Sequence, residues 1–460
     1  MKSKFAIALS VCALACAMRL FAAAPFSRSA ADFVKDIALG INIGNTLDCP
    51  SGNETEWGNR PVTRSLLRLY KSKGINAVRL PVTWRRQFDR DDPKHEIRPA
   101  FLDRVQEVVD MCMEEGMVTI LDIHHDGGSE GWPEEWLTID GVNEDRANQV
   151  LADLWCQIAT RFRNYGDKLV FEAFNEIRKA KSHPGPDGGE EGKDDWGGNA
   201  FYCKTVNRYA KTFYDTVRAT GGNNAKRYLV IPTYAATGVE SSCLAWEHPN
   251  PSDNHVMVDL HIYEPGWFCL WGDSAEYKRE EFQKRLAEVF AQHKRIFLDK
   301  GVPVVIGEVN AERRYHGGDK SKPNDEDRVK WAKHFGYVAR RFGCPCFIWE
   351  PGGYEGMGLI DRAKVEWSHP EIIDAFHAGR KFADAQARKR RAKPIEVSGD
   401  IISSYDGRVG WGGGNYDGGP ITFANGTIIA GGSLVIVGNN TEHFAVLQLE
   451  DVALTCANFT

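Results

Sequence analysis

The 460-residue chain lacks the marks of several common protein classes. It carries no excess of positive charge. With 57 Lys and Arg against 63 Asp and Glu the formal charge is −6, which gives no reason to expect nucleic acid or an anionic membrane surface as a partner. Beyond the N-terminus no apolar run has the roughly 20 residues that cross a bilayer. The 11 Cys are scattered, and setting Cys12 and Cys16 aside leaves an odd nine. Neither a disulfide scaffold nor a zinc site is spelled out, although Cys344-Pro345-Cys346 places two thiols close together. No glycine-rich phosphate loop follows a strand-like run, which argues against an open doubly wound sheet.

What is present starts with an export-type N-terminus. Lys2 and Lys4 precede the apolar run from Phe5 to Met18, and Phe21-Ala22-Ala23-Ala24-Pro25 offers small residues for cleavage. Residues 1–24 are therefore expected to be a signal peptide and the protein secreted or extracytoplasmic. Ala13-Leu14-Ala15-Cys16 is only an imperfect lipoprotein box. The 13 Trp offer flat aromatic faces, which suit the C–H faces of sugar rings as well as packing.

From residue 25 to 386 strand-like apolar runs alternate with helical periodicity. Eight runs can be counted, at Ile37–Ile43, Ala77–Val82, Met117–Ile123, Val170–Phe174, Tyr228–Pro232, Val256–His261, Val302–Gly307 and Cys346–Trp349. The helices between them include Thr63–Gly74, Pro99–Glu115, 199–220 and Asp325–Phe342. Eight such units over about 350 residues predict an α/β fold, a closed (β/α)₈ barrel. After Ala387 the character changes. Residues 387–394 read as a basic linker, and 395–460 as a small, glycine-rich β module with turns at Asn425-Gly426 and Gly438-Asn439-Asn440.

In a parallel barrel the functional side chains gather at the C-terminal ends of the strands. Those ends carry Asn45, Arg79, His124 and His125, Asn175 and Glu176, His261 and Tyr263, Glu308, and Trp349. Strands 4 and 7 lie roughly opposite in a ring of eight, so Glu176 and Glu308 can flank one bond. Two carboxylates in that arrangement suit glycosidic cleavage, one as acid and one as nucleophile or base. Arg79 and the Tyr263 hydroxyl can keep Glu308 ionised. Burial and the neighbouring negative charge are expected to raise the pKa of Glu176. Asn175 is placed for a sugar hydroxyl, His125 and His261 for hydroxyls or for tuning the acid, and Trp349 for the ring floor. His124-His125-Asp126 is the one metal-like triplet, but it lacks the H-E-x-x-H spacing, and no metal is expected.

Seven segments in this order resemble the family 5 glycoside hydrolases of clan A, specifically their endo-β-1,4-glucanases. They are Gly40-Ile41-Asn42-Ile43-Gly44-Asn45-Thr46-Leu47-Asp48, Glu56-Trp57-Gly58-Asn59, Val78-Arg79-Leu80-Pro81-Val82-Thr83-Trp84, Asp122-Ile123-His124-His125-Asp126, Phe174-Asn175-Glu176, His261-Ile262-Tyr263 and Ile306-Gly307-Glu308. The resemblance covers about residues 30–380. It is strongest to the bacterial subfamily acting on cellulose, mixed-linkage glucan and xyloglucan. It implies a retaining endo-β-1,4-glucanase with Glu176 as acid/base, Glu308 as nucleophile, and Arg79, His125, Asn175, His261, Tyr263 and Trp349 at the other active-site positions. A monomer acting on a β-glucan polysaccharide, without cofactor, is the matching expectation. Ile177, Val309-Asn310 and Glu350-Pro351-Gly352 depart from the usual pattern and bear on subsite shape. An endo-β-mannanase on the same scaffold and a non-catalytic polysaccharide-binding protein are the alternatives.

Overall fold

The computed structural model describes residues 26–127, 135–179, 196–272, 274–353 and 355–391, together with the main chain of strand segments between 395 and 459. The expected signal peptide lies outside these residues. So does most of the Gly- and Asp-rich stretch between Lys179 and Gly198. Two compact units divide at Arg380 and Lys381.

In the first unit eight parallel strands close into a barrel in sequence order, and β1 pairs with β8 to complete it. The strands are β1 (Gly40–Asn42), β2 (Ala77–Leu80), β3 (Val118–Leu121), β4 (Leu169–Glu172), β5 (Leu229–Thr237), β6 (Val256–His261), β7 (Val304–Val309) and β8 (Cys346–Ile348). Helices follow each strand, with a short extra one (Gly266–Cys269) after β6. The eight main ones are α1 (Arg64–Ser72), α2 (Pro99–Glu114), α3 (Glu144–Arg161), α4 (Ala200–Ala219), α5 (Glu240–Ala245), α6 (Arg279–Ile296), α7 (Asp325–Phe342) and α8 (Pro370–Arg391). Local chemistry sets their starts. The Thr63 hydroxyl caps the Leu66 amide, Pro99 opens α2, and the Asn199 side chain accepts from the amides of Phe201 and Tyr202. Asp325, Glu326 and Asp327 open α7, and Arg340 and Arg341 close it, as the helix dipole favours.

Period-two alternation sorts the strand side chains into two cores. Val78, Leu80, Leu121, Leu169, Phe171, Leu229, Ile231, Val258, Leu260, Val304 and Ile306 pack outward, in the cluster that includes the helices. Ala77, Val118, Ile120, Val170, Val230, Met257, Val305 and Phe347 fill the lumen, where Phe26, Ala30, Phe33, Val34 and Ile37 join them. Phe33 stacks on Tyr228 at 4.1 Å, so the segment before β1 plugs the lower end of the barrel. The lumen row changes character two residues further on in most strands: Asn42 after Gly40, Arg79 after Ala77, Asp122 after Ile120, Glu172 after Val170, and Asp259 after Met257. All five are fully buried. An apolar floor thus carries a charged layer.

No helix among the described residues is long and apolar enough to cross a membrane. The eight described cysteines between Cys49 and Cys346 are all free, and only Cys156 is exposed. Helix α8 runs to Arg391, into the stretch read as a basic linker. In the second unit the strand Thr427–Ile436 pairs in parallel with Ile395–Val397, Ile401–Ser404 and Ala453–Phe459, while Arg408–Trp411 pairs antiparallel with both Ile401–Ser404 and Gly414–Asp417.

The floor of the charged layer depends on a missing Cβ. One built on Gly40 would meet the Phe347 ring at 2.2 Å, and Phe347 is fully buried in the lumen. Gly40→Ala is expected to destabilise the protein by about 1–3 kcal/mol through overpacking, read as a lowered denaturant midpoint. Adding Phe347→Leu should recover part of that loss. A Gly40→Ala midpoint equal to wild type would show that the lumen is not closely packed there.

Candidate active site

The rim of the barrel is organised on one buried cation. Arg79 enters from β2 and is fully buried. Its Nε and Nη2 donate to the two oxygens of Glu172 at 2.8 and 2.7 Å. Nη2 also donates to Asn175 Oδ1 at 2.9 Å and lies 2.9 Å from Asp122. Nη1 donates to Asn42 Oδ1 at 3.0 Å and to Glu308 Oε1 at 2.9 Å. Burial opposes the charge, but the fields of Glu172, Asp122 and Glu308 outweigh it and hold the guanidinium well above its ordinary range.

Glu308 lies within β7 and is 6% exposed. Its second oxygen accepts the Tyr263 hydroxyl at 2.7 Å. Glu176 sits four residues past the end of β4 and is partly exposed. Its Oε1 is 2.7 Å from His261 Nδ1, which also lies 3.6 Å from Glu308 Oε2. One oxygen of each glutamate and a nitrogen of His261 fall within 4.8 Å of one another. The structure therefore brings Arg79, Asn175, Glu176, His261, Tyr263 and Glu308 into one connected group.

The aromatic wall is adjacent. The His124 ring stacks on Trp349 at 5.8 Å with 4° between planes, and His125 meets His124 at 4.4 Å and Trp57 at 5.8 Å. Burial, with the charges of Arg79 and His261, drives His124 well below the usual imidazole range. Burial, with His124 beside it, does the same to His125. Both are neutral imidazoles suited to hydroxyl groups. His124 Nδ1 is held by Asp122 at 2.7 Å. The main-chain amide of Asn45 donates to Asp48 Oδ2, and its main-chain carbonyl accepts from the Asn59 side chain. Asp126 points away from the two histidines, accepting from the Trp84 amide and the Trp136 indole, so His124-His125-Asp126 is not a ligand triplet in space.

The electrostatics of the two glutamates differ from the sequence expectation. Burial raises Glu176, but the hydrogen bond and charge of His261, with Arg178 and His124 adding, reverse the sign and leave it lowered. Burial raises Glu308 against the pull of His261 and Arg79, and the net shift is upward. His261 carries the difference. Burial disfavours its charge, yet Glu308, Asp259 and Glu176 hold it well above its ordinary pKa. The site thus favours the charged form of the imidazole between the two carboxylates, 2.7 Å from Glu176.

Asn42, Asp122, Glu172 and Asp259 were not singled out from the sequence. The signal was available. Each is a polar residue on the inward row of a short apolar strand, where a chance surface position would have faced the helices instead.

The chain is similar to known proteins over most of its length. The family model "Cellulase (glycosyl hydrolase family 5)" matches residues 44–355. The chain is 35% identical over 359 residues to the cellulase/esterase CelE of Acetivibrio thermocellus, covering 76% of this chain and 40% of that protein. It is 33% identical over 357 residues to endoglucanase 1 of Ruminococcus albus, covering 76% and 80%. Among solved structures, XEG5A from a metagenomic library, a xyloglucan-specific endo-β-1,4-glucanase in complex with cellotriose, superposes with a TM-score of 0.66. That pair is 34% identical and covers 76% of this chain and 98% of the other. With two glutamates facing one another across a parallel barrel and a family match over most of the chain, this protein belongs to glycosyl hydrolase family 5 and is a glycoside hydrolase.

Proposed function

We propose that the protein is an exported endo-β-1,4-glucanase that cleaves internal bonds of cellulose-type, mixed-linkage or xyloglucan chains with retention. The single observation that carries the mechanism is the short distance, under 4.8 Å, between oxygens of Glu176 and Glu308. Retaining enzymes hold their carboxyl groups about 5–5.5 Å apart, while inverting ones leave about 6.5–9.5 Å for a water. The endoglucanase names of the relatives, and the xyloglucan specificity of one of them, support the substrate class. The N-terminal segment supports export.

In the first step a Glu308 oxygen attacks the anomeric carbon. The glycosidic C–O bond breaks, and Glu176 gives its proton to the leaving oxygen. In the second, Glu176 takes a proton from water as the water oxygen attacks the same carbon and the ester bond to Glu308 breaks. Arg79 and Tyr263 each occupy one oxygen of Glu308 and fix its direction of attack. Because Asn175 Oδ1 accepts from Arg79, its NH₂ is the end left for a sugar hydroxyl. The neutral His124 and His125 and the Trp349 ring line the bound sugar.

The deciding experiment is reducing-sugar release by residues 25–460 on carboxymethyl cellulose, mixed-linkage glucan, xyloglucan and glucomannan. Release from a glucan that Glu308→Ala abolishes supports the proposal. Release mainly from glucomannan would move the specificity to mannan, and none from any polymer by folded protein would point to a binding protein. Glu176→Gln should lower kcat by about 10²–10⁴-fold.

A pH profile gives a second check. Glu308 must be ionised and its pKa is raised, so the acid limb of kcat/KM should lie above the ordinary glutamate value of 4.5. The Glu176–His261 pair must hold one proton, and His261 is raised, so the basic limb should lie above 6.5. His261→Gln removes the proton store and the positive charge that lowers Glu308. The basic limb should then move down and the acid limb up, narrowing the bell. An unaltered profile in this variant would show that His261 is electrostatically silent.

A further inference from the structure

Asp259 lies on β6 two residues before His261, on the same inward row and one layer deeper, fully buried. Nothing in the reaction as derived above uses it. Its Oδ1 accepts the Gly307 amide at 2.8 Å. A Cβ on residue 307 would come within 2.4 Å of that oxygen, so the bare glycine beside Glu308 leaves room for the carboxylate. Its Oδ2 faces His261 Nε2 at 3.2 Å. The approach is an ion-pair contact without standard hydrogen-bond geometry, and neither atom has a hydrogen-bonding partner among the described residues. On its other side the imidazole meets Glu176 through Nδ1. The imidazole thus sits between a carboxylate in the barrel interior and one at the cleft.

We propose that Asp259 is a positioning residue that keeps a proton on His261 Nε2 and so makes Nδ1 the atom that exchanges a proton with Glu176. The proposal rests on the retaining mechanism assigned to Glu176 and Glu308. A neutral imidazole has one N–H and one lone pair. An unprotonated Nε2 would leave two acceptors 3.2 Å apart in a buried site. A proton on Nε2 removes that conflict. His261 then alternates between two forms only: the imidazolium, with protons on both nitrogens, and the neutral Nε2–H tautomer. When the Nδ1 proton passes to Glu176 Oε1, the N–H bond breaks and the O–H bond forms. The ion pair becomes a neutral pair, and the vacated Nδ1 lone pair accepts from the new carboxylic acid. Glu176 is then loaded as the acid for the first step. In the second step the proton taken from water can return the same way.

Other groups face the imidazole from neighbouring strands. Glu308 approaches Nδ1 from β7, Glu172 lies within 4.8 Å of Asp259 and the imidazole on the β4 side, and Asp122 interacts with it electrostatically from the β3 side. Of these carboxylates, Asp259 is the one within ion-pair distance of Nε2. Burial disfavours the imidazolium, and the charges of Glu308 and Asp259 favour it, in agreement with that placement.

The test is Asp259→Asn, which keeps an oxygen for the Gly307 amide and removes the charge. Two readouts apply: the pH profile of kcat/KM on whichever soluble glucan the wild type cleaves, and a titration of ¹⁵N-histidine-labelled protein by NMR. The expected results are Nε2 protonated across the titration in wild type, and a basic limb about 1–3 pH units lower in the variant, the range for losing one close opposite charge. A folded variant with an unchanged basic limb would overturn the proposal. So would a wild-type His261 whose Nε2 carries no proton when neutral. That NMR result decides the matter even if the variant does not fold. It also separates the two hypotheses: a wild type inactive on every polymer would count against the glucanase reading, while the Nε2 protonation state still judges the role of Asp259.

Discussion

The site depends on a positive charge placed where no water reaches it. A buried guanidinium costs several kcal/mol unless its donors are all used, and Arg79 uses them on groups from β1, β3, β4 and β7 and the turn after β4. This one requirement orients Glu308, fixes which end of Asn175 faces the cleft, and commits Glu172 and Asp122 to structural roles. Removing any partner leaves a buried charge short of its counterpart, so the network is tied together more tightly than any single distance suggests.

The barrel supplies the place for such a charge. Its lower lumen is apolar and plugged by the segment before β1, while its upper lumen is ionic and opens to the cleft. Apolar packing below provides the stability against which the desolvation above is set. The same low-dielectric surroundings strengthen every contact in the upper layer.

The histidine between the glutamates revises a simple electrostatic picture. Burial and a neighbouring carboxylate are the usual reasons for a carboxylic acid to stay protonated. Here burial raises Glu176, but His261, 2.7 Å away, reverses the shift. Burial disfavours the imidazolium in turn, and Glu308, Asp259 and Glu176 together favour it.

Much of this was legible in the chain. Strand and helix periodicity determined eight alternating units, because a 2.0-residue repeat and a 3.6-residue repeat cannot be confused over such lengths. The ends of the strand runs named Arg79, His124, His125, Asn175, Glu176, His261, Tyr263, Glu308 and Trp349 as one rim, and the structure gathers them there. Tertiary structure alone decided which of them touch. The main chain of Asn45 is held by Asp48 and Asn59, Asp126 accepts from Trp84 and Trp136, and Asn42, Asp122, Glu172 and Asp259 form a second layer beneath. It also decided the sign of the Glu176 shift. The reason is physical: sequence order settles which face of a strand a residue occupies, but a contact of 2.7 Å between His261 and Glu176, 85 positions apart, exists only once the barrel has closed.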